Sequence, residues 1–527
     1  MGKGCGIASI ANQEIMIRPR HLGRVVAIAR TLARHDALFF LDYAPMGPTL
    51  RRAAQMVFRA RQAHGRPGQR LAAALTELGP SFIKLGQALS VRPDIVGDEI
   101  AADLTSLQDR LPQFSGAEAR RAIAAELGKP VTMLFASFED RAVAAASIAQ
   151  VHEATTAADE PVVVKVLRPG IEAQFARDLD FFDAMARTVA RARPALRRLK
   201  PVEVVRVFAA SVELEMDLRY EAAAADELRQ NFDGDASFRV PRMDWSRTGR
   251  RVLTAERVSG IRIDDRAALI AAGHDPARIV ATMARIFFLQ AFRDGFFHAD
   301  LHPGNLFVAE DGAIIAVDFG IMGRLERATR EYLAEMLLAF LQGDYKRVAE
   351  VHLRAGYIPA DTSIDEFAQA ARSIAEPILG LPLADISFAR LLAQLFKVTK
   401  RFRMETQPQL LLLQKTMLVA EGVGRHLCPE TNMWELARPL IEDWIAEHYA
   451  PEARLAEAVQ DVAGALVRLP RLVAEMEETV GTLARGGLKL HPESVRALAE
   501  ARAENAARWP IWVTVAVAIA VVVAIVF

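Results

Sequence analysis

The chain has 527 residues, too many for one ordinary hydrophobic core, so two or three domains are expected. Lys plus Arg and Asp plus Glu are equal at 65 each, which leaves no net field to gather nucleic acid or an acidic polymer. With only Cys5 and Cys428, a disulfide framework is excluded and a reducing compartment is expected.

Residues 1–47 form a basic N-terminal segment. Gly2 lacks the hydroxyl residue at position six that myristoylation needs, and no apolar run with a cleavage site follows, so secretion is not expected. The Arg-rich stretch from Ile17 to Arg34 has apolar residues between its charges, a pattern that suits a membrane surface but more often an ordinary solvated helix face. Residues 48–136 read as a helical extension. Thr49 to Ala63 and Gln69 to Leu78 are rich in Ala, Leu, Arg and Gln, and the Gly65-Arg-Pro-Gly68 turn divides them. Beyond Gly79-Pro80, Lys84 and Gln87 are three apart and share one helix face, which in isolation reads as a solvated surface.

Residues 137–259 alternate β-prone and small-residue runs. Ala144, Ala145, Ala146 and Ser147 form a loop where a phosphate-binding turn would carry glycines; each Cβ restricts positive φ, so the loop should be stiffer. Pro161 to Pro169 is a strand with Lys165 in its middle, and an ammonium among valines must reach either solvent or carboxylates and phosphates. The setting is that of the strand Lys of a phosphotransfer site. Glu213 to Asp226 reads as one helix offering Glu215, Asp217 and Glu221 as partners, carboxylates that an exposed face would equally explain. Phe238 to Met243 and Arg251 to Gly260 read as the last strands of this region and a hinge. There the backbone from Thr254 to Val258, including Glu256, faces an adenine; a generic strand and turn is the alternative.

Residues 260–500 read as largely helical. The helix from Ala277 to Arg293, with Ile279, Met283, Ile286, Phe287 and Gln290 near helical spacing, delivers the loop His298-Ala-Asp-Leu-His-Pro-Gly-Asn305. Asp300, Asn305 five residues later, and Asp318 of a DFG triplet occur in the order used by kinase-type sites. A carboxylate orients the nucleophile's proton, and a carboxamide oxygen with a second carboxylate holds Mg²⁺ against the phosphates of ATP. Phe307-Val308 and Ile314 to Val317 read as a hairpin about the Asp311-Gly312 turn. Ile321 to Arg327 runs almost directly into the next helix, with no APE triplet at a suitable distance, so no peptide-docking segment is expected. Leu455 to Leu483 repeats apolar residues at three and four, suggesting a packed hairpin or stalk. From Ile511 to Phe527 there is no charge, and the 17 residues reach roughly 26 Å, marginally a transmembrane helix, with Trp509 and Trp512 at an interface. A single C-terminal anchor at 509–527 is therefore expected, with the body on the cytoplasmic side.

The KxGQ pattern at 84–87 and the LQD run from Leu107, standing ahead of this kinase-like core, closely resemble the UbiB family of atypical kinase-like proteins. The likeness extends to about residue 330 and includes the Ala-rich loop. It implies an α+β, protein-kinase-like bilobal fold with a helical N-terminal extension, an enlarged helical C-lobe and a transmembrane helix. It also implies that Lys84 and Gln87 point into the space where a protein kinase receives its peptide, that Glu221 pairs with Lys165, and that Glu215 and Asp217 engage Lys84. ATP and Mg²⁺ are the implied cofactors, with Asp300 and Lys165 catalytic and Asn305 and Asp318 on the metal. The implied role is ATP hydrolysis or phosphotransfer in ubiquinone biosynthesis at a bacterial-type inner membrane. Its partners would be the lipid membrane, a hydrophobic quinone precursor, ubiquinone-biosynthesis proteins and a second copy in a homodimer, with no nucleic acid. The family usually carries two C-terminal spans where this chain offers one. A small-molecule kinase of the aminoglycoside or choline type is the alternative, since HADLHPGN resembles that catalytic loop as well; KxGQ, the Ala-rich loop and the apolar tail weigh against it.

Overall fold

The computed structural model of the chain describes residues 19–37, 65–90, 96–104, 107, 112–192, 201–376, 401–404, 407–430 and single positions at 436, 439, 440 and 444. All lie in the unit Met1–Ile445; the second unit, Ala446–Phe527, is outside them. The anchor expected at 509–527, the repeat at 455–483 and the helix at 49–63 thus fall outside the described residues. Among the described residues no helix is long and apolar enough to cross a membrane.

The extension begins with α1 (Pro19–Arg34), α2 (Pro67–Leu78), α3 (Pro80–Ser90) and α4 (Asp98–Leu104). Leu32 and, just past α1, Ala37 bury against Ala74 of α2, and Arg24 pairs with the buried Asp178 at 2.8 Å. The apolar side of α1 is therefore met by protein. Pro67 stands in the first turn of α2, where a missing N–H loses no bond.

Next come α5 (Gly116–Leu127) and α6 (Val131–Leu134), then β1 (Ser137–Phe138), β2 (Ala144–Ala145), β3 (Ala149–Thr155) and β4 (Pro161–Leu167). Three helices, α7 (Ile171–Ala192), α8 (Pro201–Glu215) and α9 (Leu218–Asn231), precede β5 (Phe238–Arg239) and β6 (Val252–Glu256). The upper sheet is antiparallel in the order β1-β3-β4-β6, with β2 on β3. Val162, Val164 and Val166 alternate along β4 onto one face, where Ile123, Val131 and Leu134 of α5 and α6 cover them. The same period of two sends Lys165 to the opposite face.

Two expectations for this region are corrected. The helix read across 213–226 is two helices: Asp217 interrupts it and caps α9 by accepting from the Arg219 N–H at 3.2 Å, since a short carboxylate competes well for the free donors of a helix start. Phe238-Arg239 is not an upper strand. It pairs in parallel with a strand of the lower sheet, and only past Pro241, which has no N–H for a ladder, does the chain meet β6, through Glu256 N to Arg242 O at 2.9 Å.

Below lie β7 (Ile261–Arg262), α10 (Arg266–Ala271), α11 (Pro276–Phe288), β8 (Phe296–His298), β9 (Leu306–Val308), β10 (Ile314–Ala316) and β11 (Met322–Arg324). The lower sheet runs β5-β10-β9-β7, and β8 pairs with β11. Helices α12 (Arg327–Leu341), α13 (Tyr345–Arg354), α14 (Ile364–Ala375) and α15 (Pro408–Leu427) complete the described region. An antiparallel sheet above a mainly helical part is the α+β kinase-like fold, and β11 leads into α12 with only Leu325 and Glu326 between.

Candidate active site

The β9–β10 hairpin fixes the first two functional residues. Leu306 faces Ala316, and the ladder continues one step through Val317 N to Asn305 O at 2.9 Å, so Asn305 and Asp318 stand at the open end of one hairpin. Gly312 turns that hairpin at φ +86°. Asp318 itself has φ +63°, a left-handed conformation that Asp tolerates better than most side chains.

His298 ends β8 and organises the loop. Its Nδ1 accepts from the Asp300 N–H at 3.2 Å, which leaves Nε2 as the donor to Val317 O at 3.2 Å. The ring is fully buried against Phe319, and burial lowers its pKa, so a neutral imidazole joins the catalytic loop to the DFG segment. Behind it, residues Leu289–Asp294 continue α11 as a π-helix, a departure from α geometry common at functional sites. That turn places the buried Gln290, whose Oε1 accepts from the His298 N–H at 2.9 Å. Asn305 Nδ2 donates to Asp300 O at 3.0 Å, which directs its Oδ1 the other way. That carboxamide oxygen and the Asp318 carboxylate are hard donors of the kind Mg²⁺ takes, and two protein ligands leave room for phosphate oxygens and water. The donor set fits the ion.

Lys165 reaches Glu221 Oε1 and Oε2 at 2.8 and 2.9 Å and Asp318 Oδ1 at 2.9 Å. Lys165 and Glu221 are nearly buried, at 14 % and 10 % side-chain exposure, whereas Asp318 is 47 % exposed. Burial disfavours the Lys165 ammonium, but Asp318 and Glu221 more than offset this and hold its pKa above the ordinary value. Burial pushes the Glu221 carboxyl up to about 7 against the pull of Lys165. The charge of Lys165 holds Asp318 well below the usual carboxylate range. One cation between two carboxylates leaves the cluster short of positive charge, a fitting host for a metal-bound phosphate.

Lys84 on α3 meets Glu215, the last residue of α8, at 2.7 Å, and its charge also reaches Asp318. Gln87 is half-buried on the same helix. Asp217 holds the Arg219 guanidinium at 2.6 Å and caps α9, while Lys84 pairs with Glu215. The Ala-rich loop is a tight hairpin turn: Ala146 N donates to Ala149 O at 2.8 Å, and Arg168 grips Ala146 O through Nε and Nη2. Ala144 to Ala146 face outward in part, but Ser147 is buried with its Oγ unpartnered among the described residues. At the hinge, Glu256 and Val258 border a cavity of ≈ 330 Å³ that none of Lys165, Asp300, Asn305 and Asp318 lines.

Three contributors had no functional role in the sequence reading: Gln290, read there only as part of a helical spacing, is a carboxamide support, Arg168 is the clamp on the Ala-rich turn, and Lys415 has its Nζ 3.1 Å from Asp300 Oδ1. Each acts through a contact across the fold that local spacing does not encode.

The model of the ABC1 atypical kinase-like domain matches residues 106–352, and that of the UbiB helical domain matches 371–432. The chain is 44 % identical over 409 residues to the "Probable protein kinase UbiB" of Marinobacter nauticus, covering 77 % of this chain and 75 % of that one. The chain belongs to the UbiB family. The correspondingly named relative in Azotobacter vinelandii is 45 % identical over 78 % of this chain and 76 % of its own, and that of Xanthomonas axonopodis pv. citri 43 % over 87 % and 84 %. The solved structure of an Rv3197–erythromycin complex from Mycobacterium tuberculosis has the same fold, with a TM-score of 0.50 and 24 % identity over 75 % of this chain and 96 % of that one. This UbiB-family chain is thus an atypical kinase-like enzyme.

Proposed function

We propose that the chain uses Mg·ATP in support of ubiquinone biosynthesis, acting beside a membrane on a hydrophobic quinone precursor. The observation that carries the reading is Lys165 bonded at once to Glu221 and Asp318, with Asn305 beside Asp318 on the same hairpin and Asp300 at the head of the loop. Lys165 binds the α and β phosphates, and Glu221 keeps it extended towards them. Mg²⁺, held by Asp318 and Asn305, would supply positive charge for the phosphates. Asp300 takes the proton of an attacking water or hydroxyl as that oxygen bonds to the γ-phosphorus; the bond to the bridging oxygen breaks and ADP leaves. The short step from β11 to α12 offers a peptide no platform, which favours water or a small lipid acceptor. Support for the membrane comes from the apolar run 511–527, and for the pathway from family membership.

Thermal unfolding tests the nucleotide site. Mg·ATP should raise the melting temperature, EDTA should cancel most of the rise, and Asp318→Asn should abolish it. An equal rise in Asp318→Asn would remove the reading.

A further inference from the structure

Asp300 has no cation of its own in the catalytic loop. From His298 to Val308 the loop contains no Lys or Arg. Its two imidazoles are committed elsewhere: His298 Nδ1 accepts the Asp300 N–H, and His302 Nδ1 accepts the Gly304 N–H at 3.1 Å. The positive charge comes instead from Lys415, 115 residues further on, at 3.1 Å from Asp300 Oδ1.

Lys415 is held in place by the helix that carries it. Leu413, Thr416, Ala420, Val423 and Leu427 recur at three and four residues and are all buried, so α15 is fixed along one side. Its far end is tied down by Arg266 Nε to Leu427 O at 2.8 Å and His426 Nε2 to Asp264 O at 2.9 Å. Lys415 sits at the edge of that buried side. It and Asp300 are 30 % and 34 % exposed, so the pair stands at an opening and not inside the core.

We infer that Lys415 is a second active-site cation of this enzyme, beside Lys165: it positions Asp300 and presents its remaining donors to the phosphoryl group in transfer. The inference rests on the phosphotransfer reading above. Bringing an ATP γ-phosphate beside an unshielded Asp300 carboxylate would set like charges together. An ammonium on a flexible four-carbon stem can bond to both, and its three protons allow this without letting Asp300 go. As Asp300 accepts the acceptor's proton and the bond to the departing ADP breaks, Lys415 balances the negative charge on the moving phosphoryl oxygens. The cation belongs to the segment matched by the UbiB helical domain, outside the kinase-like match, so the two family segments share one catalytic centre.

The test uses the full chain, with phosphate release from Mg·ATP and Mg·ADP affinity measured side by side. Lys415→Met should lower kcat by about 10²-fold while Mg·ADP affinity and melting temperature stay close to wild type, and Lys415→Arg should recover much of the rate. Lys415→Met combined with Asp300→Asn should be hardly slower than Asp300→Asn alone, since both act on one unit. A wild-type rate in Lys415→Met, or a loss that adds fully to that of Asp300→Asn, overturns the inference, as does a rate loss matched by lost ADP binding. Asp318→Asn separates the two levels. If it is inactive while Lys415→Met is not, the inference alone fails; if it keeps full turnover, or the wild-type chain has none, the phosphotransfer reading fails and the inference with it.

Discussion

Two lysines enter the cleft from opposite sides, and they are held differently. Lys165 rises from the middle of a sheet strand, is 14 % exposed, and bonds to three carboxylate oxygens on two residues. Lys415 comes from a helix edge, is 30 % exposed, and bonds to one oxygen of Asp300. A buried lysine with several partners is a fixed point, because moving it would strand charge away from water. A half-exposed lysine with one partner can exchange that partner cheaply. The first suits a phosphate anchor that stays in place through the reaction; the second suits a cation that must follow a group in transfer.

Removing a partner from each side should widen that contrast. The largest effect on stability is expected from Glu221→Ala, about 3 kcal/mol by chemical denaturation, the low end for a broken buried pair because Asp318 still bonds to Lys165. Next is a dependence on pH carried by α15. Its Glu421 is 4 % exposed, with Oε2 unpartnered among the described residues, and burial pushes its pKa up to about 8 from the ordinary 4.5. The folded chain keeps a proton that the unfolded chain sheds, so this group's contribution declines as pH rises between those values, by about 1.4 kcal/mol per unit at the steepest. Glu421→Gln should flatten that decline, and melting temperatures at pH 6 and pH 8 should then lie closer together than in the wild type. The smallest effect is that of Lys415→Met on stability, under about 1 kcal/mol at low salt and less at high salt, in denaturation curves run at both. A loss as large as that of Glu221→Ala would mean the two lysines are held alike.

Much of the site was legible because its chemistry is local in sequence. Asp300, Asn305 and Asp318 are set by one loop and one hairpin, and β4 shows its two faces in the alternation of valines about Lys165. The choice among Glu215, Asp217 and Glu221 was not legible from spacing. It depended on the break at Asp217, where a side-chain cap outweighs helix continuity and turns α8 and α9 to different lysines. The parallel pairing of β5 with β10 was hidden because a strand of two residues carries no readable period. Lys415 had no local signal at all. Inside the run Leu410 to Leu418 it is the middle of a polar Gln-Lys-Thr break in an apolar helix, and only the packing of α15 beside the catalytic loop gives it a partner.

The glycine of the KxGQ pattern sets a tolerance for the seating of α3. A Cβ at Gly86 would stand 2.3 Å from Leu107 Cδ1 and 2.8 Å from Leu75 Cδ1, both closer than real contacts allow. Helix α3 is thus seated to within a methyl group, and Lys84, two residues earlier, inherits that seating when it reaches Glu215. Gly86 works as a spacer of zero thickness: anything wider would first have to push aside the leucine methyls that α3 rests on, so the seat of this helix is gauged by an atom that is not there.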